Sequence, residues 1–332
     1  MILAGIDEAG YGPLLGPLVV GCCAFEIADD AAADCANGEI PCLWKRLKKA
    51  VGKNRSKTGK RLHVNDSKVV YSPAGGLKEL ERSVLALATA CDGQWCEDLA
   101  ALLSRVAPHV SAEVPEYLWY RPCAHERFPL EQEAMSVRVL ANALRLEMQR
   151  TGTRLAGLAA RVVLERQLNQ MIENTRNKGA ALFSISAIHL DYLLRTFGER
   201  GLVVFCDRQG GRAHYGSLLR LMFEEWELEV TAETEPRSEY RLRRSAGGAR
   251  HEVRLIFCEK AEAQCLSVAV ASMLSKYLRE CLMRRFNAFW KQHLPEVEPT
   301  AGYYGDGSRF LKDIDSKRRE LGIADEQLIR CR

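Results

Sequence analysis

Four acidic side chains in this chain stand where apolar, strand-like runs end or a helical pattern begins. Asp7 and Glu8 follow the run ILAGI and open a loop of glycines and prolines, GYGPLLGP. Asp207 ends a second run, GLVVFC, and Glu262 opens a long helical pattern just after EVRLIFC. A carboxylate in such a place is costly to desolvate unless a cation or hydrogen bonds compensate it. Several converging on one edge would repel one another, and a pair of divalent cations is the usual remedy, with hard oxygen donors selecting Mg²⁺ or Mn²⁺. Two such ions about 4 Å apart activate a water and stabilise the leaving oxygen in phosphodiester hydrolysis. For Glu262, capping a helix is an equal alternative. For Asp7 and Glu8 it is a poor one, because a pair between an apolar strand and a rigid Gly/Pro loop has little to cap.

To bring these acids together the chain needs strands that end on one edge. Residues 2–6 and 17–26 read as strands around a Gly/Pro turn, and 201–206 as a short buried strand. Alternation at 226–233 and 251–258 predicts a β-ribbon around the basic RLRRSAGGAR, and 110–120 also reads as strand. Apolar residues at helical spacing predict helices over 76–90, 130–150, 155–174, 180–197, 215–225 and 262–292, with a helical tail after TAGYYGDGSRF. Ala28 to Ile40 reads as a surface excursion. Strands first, then helices alternating with strands, predict a mixed α/β sheet with helices on both faces. Within the last long helix, the small-residue stretch SVAVAS puts Ser272 on a face that packs closely on the sheet.

The composition, 47% hydrophobic and 27% charged over 332 residues, is that of a folded chain with a substantial core. A net charge of +4 permits a nucleic-acid partner without arguing for one. The charge is unevenly spread: KRLKKAVGKNRSKTGKR, Lys45 to Arg61, has nine basic residues and no acid, which suits a solvated arm or one that contacts phosphates. Twelve cysteines lack the spacing of a metal finger, and no apolar run is long enough for a membrane span. Reduced thiols, a cytoplasmic location and no leader segment are the expectations. The seven histidines form no H-x-H or H-x-x-x-H cluster, so His63 and His214 read as incidental.

GIDEAGYGPLLGPLVVG at 5–21 closely resembles the opening motif of the type 2 ribonucleases H, ribonuclease HII and ribonuclease HIII. The resemblance continues in order through NDSK at 65–68, the strand ending in Asp207, EKAEAQCLSVAVASMLSKYLRE at 259–280 and GYYGDGSRF at 302–310. It implies a ribonuclease H-like mixed five-stranded sheet flanked by helices. The catalytic domain would span 1–292 with insertions at about 28–62 and 75–200, and 293–332 would form a C-terminal helical segment. Asp7, Glu8, Asp207 and Glu262 would be the metal-binding and catalytic carboxylates, holding two Mg²⁺ or Mn²⁺ ions. The fourth acid is Asp in the HII branch and Glu in the HIII branch, so Glu262 is HIII-like while the opening motif is HII-like.

The implied activity is endonucleolytic hydrolysis of the RNA strand of an RNA/DNA hybrid, including single embedded ribonucleotides, to 5′-phosphate and 3′-hydroxyl ends. The implied partner is such a hybrid or a ribonucleotide-containing duplex, with a monomeric enzyme and no membrane. Gly10, Tyr11 and Gly12 stand where the family has Gly-Arg-Gly, whose amides read the 2′-hydroxyl. Both glycines are kept, but Tyr11 brings no positive charge for a phosphate. Ser67 and Lys68 match a phosphate-contacting pair. Lys276 and Arg279 would face the nucleic-acid backbone or pair with Glu280. Tyr303 matches the tyrosine that stacks on the deoxyribose beside the junction. The rival readings are a nuclease of the same superfamily acting on DNA and a non-catalytic nucleic-acid-binding protein; a pure binder gains nothing from four clustered acids beside phosphate.

Overall fold

The computed structural model describes residues 1–28, 40–121, 126–246 and 248–331. Most of the excursion expected from Ala28 to Ile40 lies outside the described residues. The described residues form nine strands: β1 (Ile2–Ala9), β2 (Leu18–Ile27), β3 (Val51–Gly52), β4 (Leu62–His63), β5 (Thr153–Val163), β6 (Leu202–Asp207), β7 (Glu227–Glu233), β8 (Arg237–Ala246) and β9 (Ala249–Cys258). Seven of them form one sheet in the order β5-β2-β1-β6-β9-β8-β7, while β3 and β4 pair by themselves. The three central strands β1, β6 and β9 run parallel. The outer pairs β1–β2, β2–β5, β7–β8 and β8–β9 are antiparallel.

The central strands are covered on both faces, which is why they read as continuous apolar runs instead of alternating ones. Ile2, Ala4 and Ile6 point to one face, and Leu3 to the other. The first face is covered by helices Glu165–Thr175, Lys178–Phe197 and Gly216–Met222. The second carries the 28-residue helix Leu266–His293, with helices Lys78–Asp92, Leu99–Val106 and Ala134–Arg150 packed beside it on the edge strand β5. Two glycines set how closely that long helix lies on the sheet. A Cβ on Gly5 would come within 2.2 Å of the Val268 amide nitrogen, and one on Gly21 within 2.5 Å of the Ala271 carbonyl. Only hydrogen side chains allow this backbone-to-backbone approach.

The architecture is the mixed α/β sheet flanked by helices that the sequence implied, with seven strands where five were expected. One addition is β5. Residues 155–174 read as a helix, yet 153–163 form an edge strand on β2 and the helix begins only at Glu165. Leu155, Leu158 and Val162 have helical spacing and share a strand face only through the register shift between Leu155 and Gly157; the open edge of β2 decides, a tertiary override of local pattern. Residues 110–120, read as strand, form three short 3₁₀ turns instead. Pro115 removes a ladder donor, and Trp119 and Tyr120 are buried beside Phe286 of the long helix. The helix expected at 262–292 is broken: Cys265 is extended between a short turn, Ala261–Gln264, and Leu266–His293.

Candidate active site

Parallel pairing aligns the ends of β1 and β6. Ile6 pairs with Cys206, so Asp7 and Asp207 follow as neighbours at the same edge, and Asp207 in turn pairs with Cys258 of β9. Strand parity puts both aspartates on the face of the long helix, since Leu3 on β1 and Val203 and Phe205 on β6 belong to that face. Glu262 sits in the turn that leaves β9. All four acids therefore gather at the carboxyl ends of the central parallel strands, where ligands of open α/β sheets bind.

Each acid is held in a different way. Asp7 is 8% exposed; its Oδ1 accepts the Glu8 amide at 2.8 Å, and Ser275 donates to its carbonyl at 3.1 Å. Asp207 accepts the Ala261 amide at 3.1 Å, which fixes the turn carrying Glu262. Glu8 keeps a buried Oε2 without any hydrogen-bond partner. Burial raises the pKa of Asp7 far above the carboxylate range, and the charges of Glu8 and Asp207 add to it. Burial together with Asp207 pushes Glu8 up to about 7. Burial likewise raises Asp207 and Glu262, with Lys68 drawing both back. Such mutual repulsion, with an unpartnered carboxylate oxygen among it, suits a bound cation. The donor set, carboxylate oxygens only, fits a hard divalent ion. Among the described residues no group of three or more His, Cys, Asp or Glu is already arranged to hold one.

The motif NDSK lies against this edge. Asp66 caps the short helix Ser67–Val70 through the Lys68 amide at 2.9 Å, leaving the exposed Lys68 side chain to act on the acids. Ser67 is buried and meets Ser272 at 3.1 Å, and Ser272 also bonds Asp7. Ser272 thus packs on the sheet as its small-residue stretch predicts, and additionally ties NDSK to the first acid. From the basic arm, Lys53 donates to the Ala263 carbonyl at 2.7 Å, one residue from Glu262. His63 bonds the Lys53 carbonyl and His214 bonds Glu233, both away from the chemistry.

The opening loop is gripped from the far end of the chain. Gly10 adopts φ +88°, and a Cβ there would come within 2.6 Å of the Arg279 side chain. Arg330, 2% exposed, donates to the carbonyls of Gly10, Gly16 and Tyr11. Arg279, 1% exposed, donates to Leu15 and Ala301, and the amides of Leu14 and Leu15 donate to Gly302. With the carbonyls of Gly10 and Tyr11 held, Tyr11 and Gly12 give their amides to no backbone acceptor among the described residues, and the space over Gly12 is open. Tyr303 stands 52% exposed beside this loop, its ring 5.9 Å from the Arg279 guanidinium. Lys276 is drawn instead to Glu280 at 2.6 Å and lies over the Tyr71 ring.

Sequence reasoning passed over Arg330 and Asp66. Asp66 stood inside a motif already quoted, whereas nothing in a short tail distinguishes an arginine that folds back across the molecule.

No protein-family model matches this chain, and no curated protein matches it. Solved structures do. It is similar to the ribonuclease HII of the PCNA:RNase HII complex from Archaeoglobus fulgidus, at 16% identity over 100% of this chain and 95% of that one, TM-score 0.41. It is similar to the ribonuclease H2 of Pyrococcus horikoshii OT3, at 13% identity over 99% and 92%, TM-score 0.37. It is also similar to Bst-RNase HIII solved with Mn²⁺, at 12% identity over 99% and 66%, TM-score 0.42. These neighbours are type 2 ribonucleases H of both branches, the family that the sequence motifs resemble.

Proposed function

We propose that this protein is a type 2 ribonuclease H that hydrolyses the RNA strand of RNA/DNA hybrids. The observation that carries the reading is the gathering of Asp7, Glu8, Asp207 and Glu262 at one sheet edge, Asp7 buried and the others half-buried, mutually repelling and with an oxygen of Glu8 unpartnered among the described residues. These four carboxylates would hold two Mg²⁺ or Mn²⁺ ions, which when bound supply an activated water and charge stabilisation for the leaving oxygen.

The chain's own residues do the rest. Asp207 fixes the Glu262 turn through the Ala261 amide, and Ser275 and Ser272 fix Asp7, so the acids cannot relax apart when a ligand arrives. Lys68 places positive charge beside them, and Lys53 marks where the basic arm reaches the same edge, both suited to phosphates. The amides of Tyr11 and Gly12, left without backbone acceptors, suit a ribose 2′-hydroxyl, the group that separates RNA from DNA. Tyr303 is exposed beside them as a stacking surface for the neighbouring sugar. Recognition of a single embedded ribonucleotide needs only this loop and Tyr303; a long hybrid would use the basic arm as well.

The test is cleavage of labelled duplexes holding one ribonucleotide, four ribonucleotides or none, with Mg²⁺ or Mn²⁺. Cutting restricted to ribonucleotide-containing strands, with 5′-phosphate products and loss of activity in Asp7→Asn, is the expected result. Equal cutting of all-DNA duplexes would favour a DNA nuclease, and binding without any cutting would favour a non-catalytic protein.

A further inference from the structure

The opening loop lacks the cation its resemblance calls for, and the fold places two others against it. Tyr11 lines a cavity of about 570 Å³ together with Asn177, Lys178, Gly179, Gln209, Gly210 and Arg212. The Lys178 ammonium lies 5.2 Å from the centre of the Tyr11 ring. A Cβ built on Gly179 would stand 3.8 Å from an Arg212 nitrogen and 3.9 Å from the Tyr11 hydroxyl, and one on Gly210 would stand 3.3 Å from that hydroxyl. Three separate segments, the loop after β1, the start of helix Lys178–Phe197 and the turn after β6 that carries Arg212, thus converge within a few ångströms.

Three features of this cavity suit an anion. Neither Lys178 nor Arg212 has a carboxylate partner among the described residues. Lys178 opens a 20-residue helix whose N-terminal amides and dipole favour negative charge, with Asn177 capping only the Ala180 amide. Gln209, 3% exposed, lines the same space with one end of its amide bonded to Ser186 and the other end unpartnered. Because the Ser186 hydroxyl can donate as well as accept, the amide can turn its NH₂ toward an anion. Gly210 and Gly211, at φ +56° and +77°, leave room on the remaining side.

We infer that Lys178 and Arg212, with the Tyr11 hydroxyl between them, form a subsite for one phosphodiester of the bound nucleic acid and replace the arginine absent from Gly10-Tyr11-Gly12. The inference rests on the proposed ribonuclease reading and adds the residues that position its substrate. The subsite lies beside helix Lys178–Phe197 on one face of the sheet and Lys68 beside the long helix on the other, so a strand crossing the acids would meet positive charge on both sides. A phosphate contact of this kind carries no information about the sugar.

The experiment measures binding of a fluorescent hybrid and of an all-DNA duplex across a salt series, using the full chain with Asp7→Asn so that the duplex stays intact. Replacing Lys178→Gln and Arg212→Gln together keeps both stems and removes both charges. Hybrid affinity should fall about ten-fold at moderate salt, and the slope of log K against log salt should fall by about 1, as for one lost phosphate contact. The ratio of hybrid to DNA affinity should stay unchanged. Adding Tyr11→Arg to the double variant should restore most of the affinity, which a loss of folding would not allow. Unchanged affinity and slope in the double variant would overturn the subsite while leaving the ribonuclease reading intact. A selective loss for the hybrid would overturn the phosphate assignment in favour of a sugar contact. Failure of the parent protein to bind either duplex would remove the ribonuclease reading and this inference with it.

Discussion

Two clusters of buried charge lie on either side of the loop that follows β1, and they are built on opposite plans. At the sheet edge, acids of one sign are packed together, repel one another and leave an oxygen of Glu8 without a partner. Behind the loop, Arg279 and Arg330 are buried more deeply than the acids, but their terminal nitrogens are spent on the carbonyls of Leu15, Ala301, Gly10, Gly16 and Tyr11. Nearby Glu165, wholly buried and bonded by Tyr120 at 2.6 Å, is pushed up to about 7 by its burial, and its Oε2 has no partner among the described residues. The Nε atoms of Arg279 and Arg330 are likewise without one, so the contrast lies in what faces the charge: carbonyl oxygens hold the arginines, whereas the acids face one another. Burial alone therefore does not mark a functional site, and what faces the buried charge does.

The sharpest break of this contrast is Asp7→Asn. It should lower hybrid cleavage by about a thousand-fold or more while raising the melting temperature, because it removes both a ligand and a repulsive charge. A variant that cleaves normally, or that unfolds, would place Asp7 with the structural charges. Arg330→Ala should behave in the reverse way and destabilise the fold by about 3 kcal/mol in chemical denaturation, since it strands the carbonyls of Gly10 and Tyr11. An unchanged midpoint would show that the loop holds its shape without the clamp.

His189 supplies a buried group of neither kind, its ring bonded to the Val20 carbonyl at 2.9 Å. Burial holds its pKa down to about 4, below the ordinary 6.5. Its contribution is therefore full above pH 6.5 and is lost as pH falls toward 4. Between pH 7 and pH 5 the protein should lose about 2 kcal/mol that His189→Gln does not lose; identical losses in both proteins would assign the pH dependence elsewhere. The smallest effect is the addition of Mn²⁺. At ten times its dissociation constant it should stabilise the parent by about 1.4 kcal/mol, and Asp7→Asn by much less. Equal stabilisation of the two would mean that the ion binds away from the acids.

Much of the acid edge was legible in the sequence because strand ends and charge are both local signals: Asp7, Glu8 and Asp207 close apolar runs, and Glu262 follows one. What brought them together, the parallel pairing of β1, β6 and β9, was not read from the sequence, which implied only a mixed sheet with the acids at one edge. The misreadings have a common cause. Strand β5 and the turns at 110–120 are decided by partners distant in sequence, the edge of β2 and the aromatic face of the long helix. Arg330, Lys178 and Arg212 were invisible for the same reason, since each meets the opening loop only once the chain has folded. Tyr11 was recognised as a departure from the expected pattern, but its surroundings could not be read from its neighbours.

The grip of Arg330 on Gly10 spans 320 residues, and this has a consequence for the timing of synthesis. At about 5–20 residues per second, a ribosome needs roughly 15–60 s to travel from one to the other. Strand β1 and its acids are made well before Arg330, and the loop beside them stays unfastened for that interval. A nascent chain that has not yet exposed Arg330 carries Asp7 and Glu8 without the loop's final form.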